Sequence, residues 1–283
     1  YQCAWLFNYY PAEWLAAFLD KEPEKRKERA IHIAKSYDYK IEPLNVNTSG
    51  STWEIGEDGK TLIQPLTSIK GLGAAAIQQI VDNRPFQTIE EFLFHEKIVY
   101  SKLNKKALDA LIRCQALSCL MDERFTGMKH YWSAVAIDRP RKLKNLEENI
   151  EKYSPEGDFT DEEKLEYLVT LTGVFPINSV LTDQVRRRLE EFKVPPISEF
   201  DPDLKVTWFI PRECKLKKTK NGKNFYVVKV IDDNNEMNVI RCWGVDPERD
   251  LVHLNRPYMA RLNHNEQWGF STYSVRKAFK LLA

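Results

Sequence analysis

The sequence has 283 residues, of which 43% are hydrophobic and 12% aromatic, enough apolar side chains for two or three domains with separate cores. The net charge is only +1, yet residues 205–283 carry 15 Lys and Arg against eight Asp and Glu, and such a basic region is typical of nucleic-acid binders. The chain has no apolar run near the ~18 residues of a membrane span, and its five cysteines lack paired Cys-x-x-Cys spacing. These features exclude a membrane-spanning protein and argue against a zinc site or a disulfide framework.

The first 46 residues are expected to be helical. Aromatic and aliphatic residues recur at helical spacing up to residue 19, and Pro11 suits the first turn of a second helix. A charged helix is expected over 22–37. The sequence starts with Tyr1 and not with Met, and the helical pattern is already present at its first residues. We therefore expect it to be a piece of a longer polypeptide.

Residues 61–84 contain the most informative motif. Gly71-Leu72-Gly73 lies between two stretches with apolar residues at helical spacing, which predicts a hairpin between two short helices and matches the helix-hairpin-helix signature. The second helix would begin right after Gly73, and its first N–H groups would point outward beside Lys70, where they form an anion site suited to a nucleic-acid phosphate. We therefore predict a duplex phosphate site at Lys70, Gly71, Leu72 and Gly73. The alternative is a tight turn that serves only close helix packing.

A second, degenerate copy of this hairpin is expected over 88–117. Thr88 and Glu91 have capping-box spacing, and 103–117 reads as a helix followed by a turn. Gln115 occupies the turn position that favours glycine, which weakens this copy as a backbone phosphate site. The lysines at its start are either phosphate contacts of the duplex site or an ordinary solvated face. They are Lys102, Lys105 and Lys106.

Residues 123–203 are expected to form a helical and acidic connector. Nine Asp and Glu against two Lys occupy 147–166, and this stretch predicts a tether or an exposed surface. A catalytic role for these carboxylates is disfavoured, because the stretch lacks apolar residues that would bury them. An amphipathic helix is expected over 181–192.

From residue 204 onward the hydrophobic pattern changes to period two. Turn sequences separate five short strand candidates, and one short helix fits between the third and the fourth, which predicts a five-stranded oligonucleotide-binding (OB) barrel. The candidates are 206–216, 224–231, 237–243, 258–262 and 268–273. The predicted fold class is thus α+β and multidomain, with a helical helix-hairpin-helix domain followed by an OB-fold barrel.

The loop between the first two strands is strongly basic. It holds five lysines in nine residues, namely Lys215, Lys217, Lys218, Lys220 and Lys223. In OB barrels this loop borders the strand face that grips single-stranded nucleic acid by cationic contacts and base stacking. We predict that Tyr226, Arg241 and Trp243 belong to this single-strand site, with Tyr226 on the surface and Trp243 undecided between surface and core. The alternative for Phe225, Val227, Trp243 and Trp268 is core packing, and by alternation about half of these four side chains are expected to lie in the core.

Short segments in order along nearly the whole chain carry a family resemblance. They are Tyr1-Gln2, Trp5-Leu6, Tyr10-Pro-Ala-Glu13, Leu44-Asn-Val-Asn47, Ser68-Ile-Lys-Gly-Leu-Gly73, Leu103-Asn-Lys105, Leu171-Thr-Gly173, Pro176-Ile177 and Lys218-Thr-Lys-Asn-Gly222. Together they resemble the C-terminal portion of the alpha subunit of bacterial DNA polymerase III, the C-family replicative polymerase. The ordered series is far more specific than any one of its motifs.

The resemblance implies four parts: the end of the fingers (1–46), a tandem helix-hairpin-helix domain that contacts duplex DNA (47–122), the connector (123–203) and an OB domain near single-stranded template (204–283). It implies sequence-independent binding of double-stranded and single-stranded DNA, with the sliding clamp and other replisome proteins as candidate partners. The implied location is the cytoplasm of a bacterial or phage-infected cell.

The resemblance also limits what chemistry is expected here. The family's catalytic carboxylates lie in a palm N-terminal to the fingers, where they hold two magnesium ions. We therefore predict no catalytic residue, metal ligand or cofactor in this chain, and expect Mg²⁺ only for the full DNA-directed DNA polymerase.

Two departures from the family pattern leave alternatives open. Gln115 replaces the glycine of the second hairpin, and no convincing Gln-x-x-apolar-aromatic clamp peptide precedes Leu171. A stand-alone, non-catalytic DNA-binding replication protein is one alternative, which an upstream palm would exclude. A nuclease is another, disfavoured because the sequence has no compact Asp, Glu and His cluster for metal-assisted hydrolysis. The divergence suits a viral or otherwise atypical homologue.

Overall fold

The computed structural model describes residues 2–23, 26–153, 157–233 and 237–282. The chain folds into two compact units, residues 1–175 and 176–283. Tyr1, part of the family resemblance, and Glu156, one of the acidic residues of 147–166, lie outside the described residues. The four-part division of the chain remains a prediction.

The first unit is mainly helical. Its helices are α1 (Gln2–Tyr9), α2 (Pro11–Lys21), α3 (Lys27–Ser36), α4 (Ala74–Asn83), α5 (Ile89–Phe94), α6 (Lys105–Arg113), α7 (Met128–Trp132), α8 (Leu143–Lys152) and α9 (Asp161–Thr172). Three short strands, β1 (Lys40–Glu42), β2 (Glu54–Ile55) and β3 (Thr61–Ile63), form one sheet in the order β1-β3-β2. Pro11 occupies the first turn of α2, as predicted.

One hydrophobic core connects the two hairpin copies. Ile77 and Ile80 of α4, Phe92 of α5, and Leu108 and Leu111 of α6 are all buried in the same cluster. Their spacing of three or four residues within α4 and α6 places them on one face of each helix. The core therefore fixes α4 and α6 relative to each other, and with them the segments at their N-termini.

The acidic stretch 147–166 is exposed, as predicted, but its described part is not a tether. It contains the end of α8 and the start of α9, and Phe159 between them is buried in the core. Thr160 and Glu163 form a reciprocal capping box at the N-terminus of α9. The carboxylates of the first turn therefore stabilise the positive end of that helix.

Gln115 adopts the backbone conformation that the sequence suggested for glycine. Its φ is +67°, just beyond the end of α6. The Ala116 amide donates to the Leu111 carbonyl over 2.9 Å, and the Gln115 amide donates to the Ile112 carbonyl over 2.9 Å. This is the Schellman pattern, in which position 115 ends the helix in the left-handed region that favours glycine.

We expect Gln115→Gly to stabilise the chain. The substitution relieves a left-handed strain of roughly 1–2 kcal/mol. Glycine also raises the conformational entropy of the unfolded chain, which lowers stability by about 0.5–1 kcal/mol. The free energy of unfolding, measured by urea denaturation, should rise by about 0.5–1 kcal/mol. Gln115→Ala is the matched control and should leave stability nearly unchanged, because it keeps a Cβ. A lower stability for the glycine variant would contradict the left-handed conformation assigned to Gln115.

The second unit combines helices with one sheet. Its helices are α10 (Ile177–Val180), α11 (Asp183–Glu191) and α12 (Val275–Ala278). Its strands are β4 (Val206–Lys218), β5 (Asn224–Ile231), β6 (Asn238–Trp243), β7 (Tyr258–Arg261), β8 (Asn263–Asn265), β9 (Gly269–Tyr273) and β10 (Phe279–Leu281). The sheet order is β10-β7-β4-β5-β6-β9-β8. The predicted α+β class with an OB-like barrel is confirmed, although the sheet has seven strands and not five.

The sheet curls because β4 belongs to both of its halves. The first residues of β4 pair with β7, and the later ones pair with β5, with a register shift between Pro211 and Glu213. Such a bulge increases local twist and bends a strand. The five predicted strands correspond to β4, β5, β6, β7 and β9. The two additional strands have three residues each, too few for a period-two pattern.

Candidate nucleic-acid interface

The hairpin turn of the first unit is anchored by its apolar residues and exposed at its glycines. A single 3₁₀ turn, Leu66–Ser68, replaces the predicted first helix. Ile69 and Leu72 are buried, whereas Lys70, Gly71 and Gly73 are exposed. The Lys70 amide donates to the Leu171 carbonyl over 2.7 Å, which ties the turn to the end of α9. Of the predicted duplex residues, Leu72 can therefore contribute only its backbone.

Gly71 lies directly beside Lys106 of the second hairpin copy. Its φ is +86°, a conformation that favours glycine. A Cβ built at this position would lie 3.3 Å from Lys106 Cε and 3.8 Å from Lys106 Nζ. The fold thus places a cationic side chain of α6 against the turn that precedes α4, a juxtaposition that sequence spacing alone did not indicate.

Gly73 begins α4 with open space on its outer side. Its φ is −75°, and no atom lies within 4 Å of a Cβ built there. The amides of Ala76 and Ile77 both donate to the Gly73 carbonyl, over 2.9 and 3.1 Å. The preceding amides of Ala74 and Ala75 have no carbonyl to bond within the helix, because they belong to its first turn. The turn therefore offers exposed N–H groups at the positive end of a ten-residue helix.

The three lysines of the second copy are exposed and differently oriented. Lys105 Nζ donates to the Ile137 carbonyl over 2.9 Å and lies 3.9 Å from Asp138 Oδ1. Lys106 lies at the Gly71 turn, and Lys102 lies in the turn before α6. The structure therefore brings Lys106 to the hairpin and turns Lys105 toward Ile137.

In the second unit three of the five predicted loop lysines, Lys215, Lys217 and Lys218, lie at the end of β4, and Lys220 and Lys223 lie in the turn of the β4–β5 hairpin. All five predicted lysines are exposed. Glu213 forms ion pairs with Lys215 and, over 2.6 Å, with Lys229. Hydrogen bonds from these two ammonium groups lower the pKa of Glu213 to about 2. Lys215 is thus engaged by a carboxylate, whereas its neighbours Lys217 and Lys218 lie opposite Phe225 and Asn224.

An aromatic row crosses the outer face of this sheet. The strand registers place Lys217 opposite Phe225, Phe225 opposite Trp243, and Trp243 opposite Tyr273. The Phe225 and Trp243 rings stack, with centroids 4.8 Å apart and planes inclined by 28°. Tyr273 is 72% exposed. The row therefore places three aromatic side chains side by side on neighbouring strands, next to a cationic side chain.

The expectation that Tyr226 faces outward is wrong. Tyr226 is buried, and it lies in one core with Val228, Val230 and Cys242. Side chains alternate along a strand, so a tyrosine two residues before the buried Val228 points inward with it. Phe225, one of the four residues for which core packing was the alternative, lies on the outer face. The β-branched residues Val228 and Val230 were the sequence signal that could have set this register.

Arg241 also lies on the outer face, two residues before Trp243 on β6. It pairs with Ser271 in register, and its guanidinium donates to the Trp268 carbonyl. Trp268 itself is 62% exposed, so the core-packing alternative does not apply to it. Arg241 and Trp268 therefore extend the polar and aromatic surface next to Trp243.

Within the described ranges, no group of three or more His, Cys, Asp or Glu side chains is arranged to hold a metal ion. Burial raises the pKa of the Cys114 and Cys242 thiols to about 12, so both are protonated at neutral pH. Across the part of the chain that the structure describes, no helix is long and apolar enough to cross a bilayer.

The hairpin turn and the barrel define a helix-hairpin-helix protein with an appended OB-like sheet, and residues 38–126 match the helix-hairpin-helix motif family. The chain is 31% identical over 157 residues to the DNA polymerase III subunit alpha of Pseudomonas aeruginosa, a match covering 53% of this chain and 13% of that protein. It is 24% identical over 266 residues to the Chlamydia trachomatis subunit and 26% identical over 266 residues to that of Aquifex aeolicus. These two matches cover 82% and 90% of this chain but 21% and 22% of the relatives. The chain is therefore similar to a helix-hairpin-helix-containing portion of bacterial DNA polymerase III alpha subunits, and it spans less than a quarter of the length of these relatives.

Proposed function

We propose that this chain is the DNA-gripping portion of a replicative DNA polymerase. In this proposal the hairpin turn of the first unit binds the backbone of duplex DNA, and the outer sheet face of the second unit binds single-stranded template. Both contacts would be independent of sequence, because they use charge, backbone N–H groups and aromatic stacking rather than base-edge hydrogen bonds.

The observation that carries the proposal is the position of Lys106 next to Gly71, in the same turn as Gly73. Exposed amides at the start of α4 can donate to phosphate oxygens, and the Lys106 ammonium lies next to the same turn. A helix N-terminus with free N–H groups favours an anion, and the absence of a Cβ at Gly73 lets a phosphate approach the backbone. Lys70 is exposed at the same turn and would add charge.

The single-strand part of the proposal is supported by the row of Phe225, Trp243 and Tyr273. Stacking on aromatic side chains tolerates every base, and each stacked base contributes ~1–3 kcal/mol to binding. Lys217 and Lys218 at the end of β4, with Lys220 and Lys223 in the adjoining turn, would pair with the phosphates of the single strand.

Polymerase chemistry is not assigned to these residues. The proposal places nucleotidyl transfer and its magnesium ions elsewhere in the full polypeptide, and this portion contributes grip and register. Binding of the sliding clamp and of other replisome proteins is proposed from the family resemblance alone.

The experiment that tests the proposal is fluorescence anisotropy of the purified chain with labelled duplex and single-stranded DNA of several unrelated sequences, over a salt series. We expect affinities that agree within about threefold between sequences and fall steeply with salt, because each phosphate contact releases a counterion. No binding at low salt would defeat the proposal. A strong preference for one sequence would defeat its sequence-independent part.

We expect Glu213→Gln to strengthen single-strand binding. The substitution frees the ammonium groups of Lys215 and Lys229 from their carboxylate partner, and each released cation can pair with a phosphate. The slope of log affinity against log salt for single strands should become steeper by ~1 to 2. Glu248→Gln, an exposed carboxylate in the second unit outside this ion-pair cluster, is the charge-matched control. Equal slopes for the two variants would show that the freed lysines do not contact DNA.

A further inference from the structure

We infer that the second unit carries a docking groove for an acidic peptide segment with apolar anchor residues. The groove lies on the outer face of β4, β7 and β10, away from the aromatic row on β5, β6 and β9. The inference goes beyond the proposed DNA contacts and does not depend on them.

The groove is formed by the segment that follows α11 and by the sheet. Its volume is about 440 Å³, and its lining includes Phe192, Leu204, Val206 and Met259 together with Lys193 and Lys280. The segment is held against the sheet at Pro195, whose carbonyl accepts from the Trp208 amide over 3.0 Å and from Thr207 Oγ1 over 2.9 Å. These backbone contacts give the groove a fixed wall.

The apolar residues at its mouth are unusually exposed. Phe192 is 66% exposed and Leu204 is 54% exposed, and the two residues line the same groove. Single exposed apolar residues are ordinary on protein surfaces, but two large ones beside a concave apolar surface are typical of a binding site. We therefore assign Phe192 and Leu204 as contacts for an apolar anchor of the partner.

The charges of the groove select the partner. Its two charged lining residues, Lys193 and Lys280, are both exposed lysines, and no carboxylate lines the groove among the described residues. A partner with Asp or Glu beside its apolar anchor would therefore form ion pairs with these lysines at the rim of the groove, whereas a basic partner would be repelled.

The shape indicates an extended segment. Beyond Val194 and Pro195 the surface continues into a second hollow of about 270 Å³, whose lining includes the apolar residues Leu181, Leu189 and Trp208. Its charged residues are balanced, Arg186 and Lys193 against Glu190 and Asp233, so the preference for acidic residues applies to the first groove. Lys280 lies on β10, which is an edge strand of the sheet. The two hollows adjoin at Lys193, Val194 and Pro195, which line both of them, and they suit an extended peptide with one apolar anchor in each hollow.

The test uses the full chain and a fluorescein-labelled peptide of about 12 residues that combines an Asp run with Phe and Leu anchors. Two further peptides serve as probes, one with Lys in place of Asp and one with Ser in place of Phe and Leu. We expect saturable binding of the acidic apolar peptide only, with an affinity on the order of 10 μM. Equal binding of the basic peptide, or displacement by single-stranded DNA, would overturn the inference.

Two variants assign that binding to the groove. Leu204→Ser should weaken it about tenfold, while Leu251→Ser, an equally exposed leucine that does not line the groove, should not. The double variant Lys193→Glu with Lys280→Glu should reverse the preference from the acidic to the basic peptide. Circular dichroism and thermal unfolding check that the variants are folded. Wild-type affinities for both groove variants would overturn the inference.

Discussion

Gly73→Val is expected to abolish most duplex binding while the fold is retained. Gly73 has an ordinary φ of −75° and open space around its missing Cβ, so valine meets no atom of the protein there. Its side chain would instead stand where a phosphate must approach the amides of Ala74 and Ala75. Losing a charge-assisted hydrogen bond costs ~1.5–3 kcal/mol, so duplex affinity should fall about 10- to 100-fold.

The same substitution should cost little stability. Valine is a poorer N-cap than glycine, so the free energy of unfolding should fall by about 1 kcal/mol or less. Gln78→Val, on the exposed side of α4 one turn further along, is the control and should bind duplex like the wild type. A folded Gly73→Val variant with wild-type duplex affinity would contradict the phosphate site. Gly71→Val would be a poorer test, because its positive φ and the nearby Lys106 make valine strained at that position.

The second large effect is expected at the aromatic row. Replacing Trp243 by Ala removes the larger ring of the Phe225–Trp243 stack and the centre of the row. Single-strand affinity should fall about tenfold or more, because a stacked base contributes ~1–3 kcal/mol. The salt slope should not change, since the indole carries no charge to pair with phosphate.

A variant that removes two lysines is expected to change the salt slope, which the Trp243→Ala variant leaves unchanged. Lys218→Ala with Lys220→Ala should weaken single-strand binding equally for all sequences and flatten the salt slope by ~1 to 2. Tyr226→Phe is a further control: Tyr226 is buried, so its hydroxyl should not matter for stacking on the outer face. Trp243→Ala with wild-type single-strand affinity would remove the row from the binding face, and an unchanged slope for the lysine pair would remove the loop.

The parts of the site that the sequence predicted are those defined by local pattern. Gly71-Leu72-Gly73 was recognisable because a turn followed by a helix needs glycine and flanking apolar residues within a few positions. Gln115 was identified as a glycine-like position for the same reason, and its φ of +67° agrees. The five main strands followed from their turns and from alternation.

What the sequence did not predict depends on tertiary contacts. Lys106 meets Gly71 only because a shared core orients α4 and α6, and no local pattern encodes that approach. The predicted orientation of Tyr226 is wrong, because a shift of one residue exchanges the two faces of a strand. The groove at Phe192 and Leu204 combines segments that are distant in the sequence.

The central claim is that two different surfaces of this chain hold duplex and single-stranded DNA. Its most direct test is anisotropy over a salt series with primer-template, duplex and single-stranded DNA, using the wild type, Gly73→Val and Trp243→Ala. We predict that the wild type binds the primer-template most tightly, that Gly73→Val loses duplex affinity alone, and that Trp243→Ala loses single-strand affinity alone. If the wild type binds none of the three DNAs at low salt, or if each variant weakens both kinds of binding equally, the claim is contradicted.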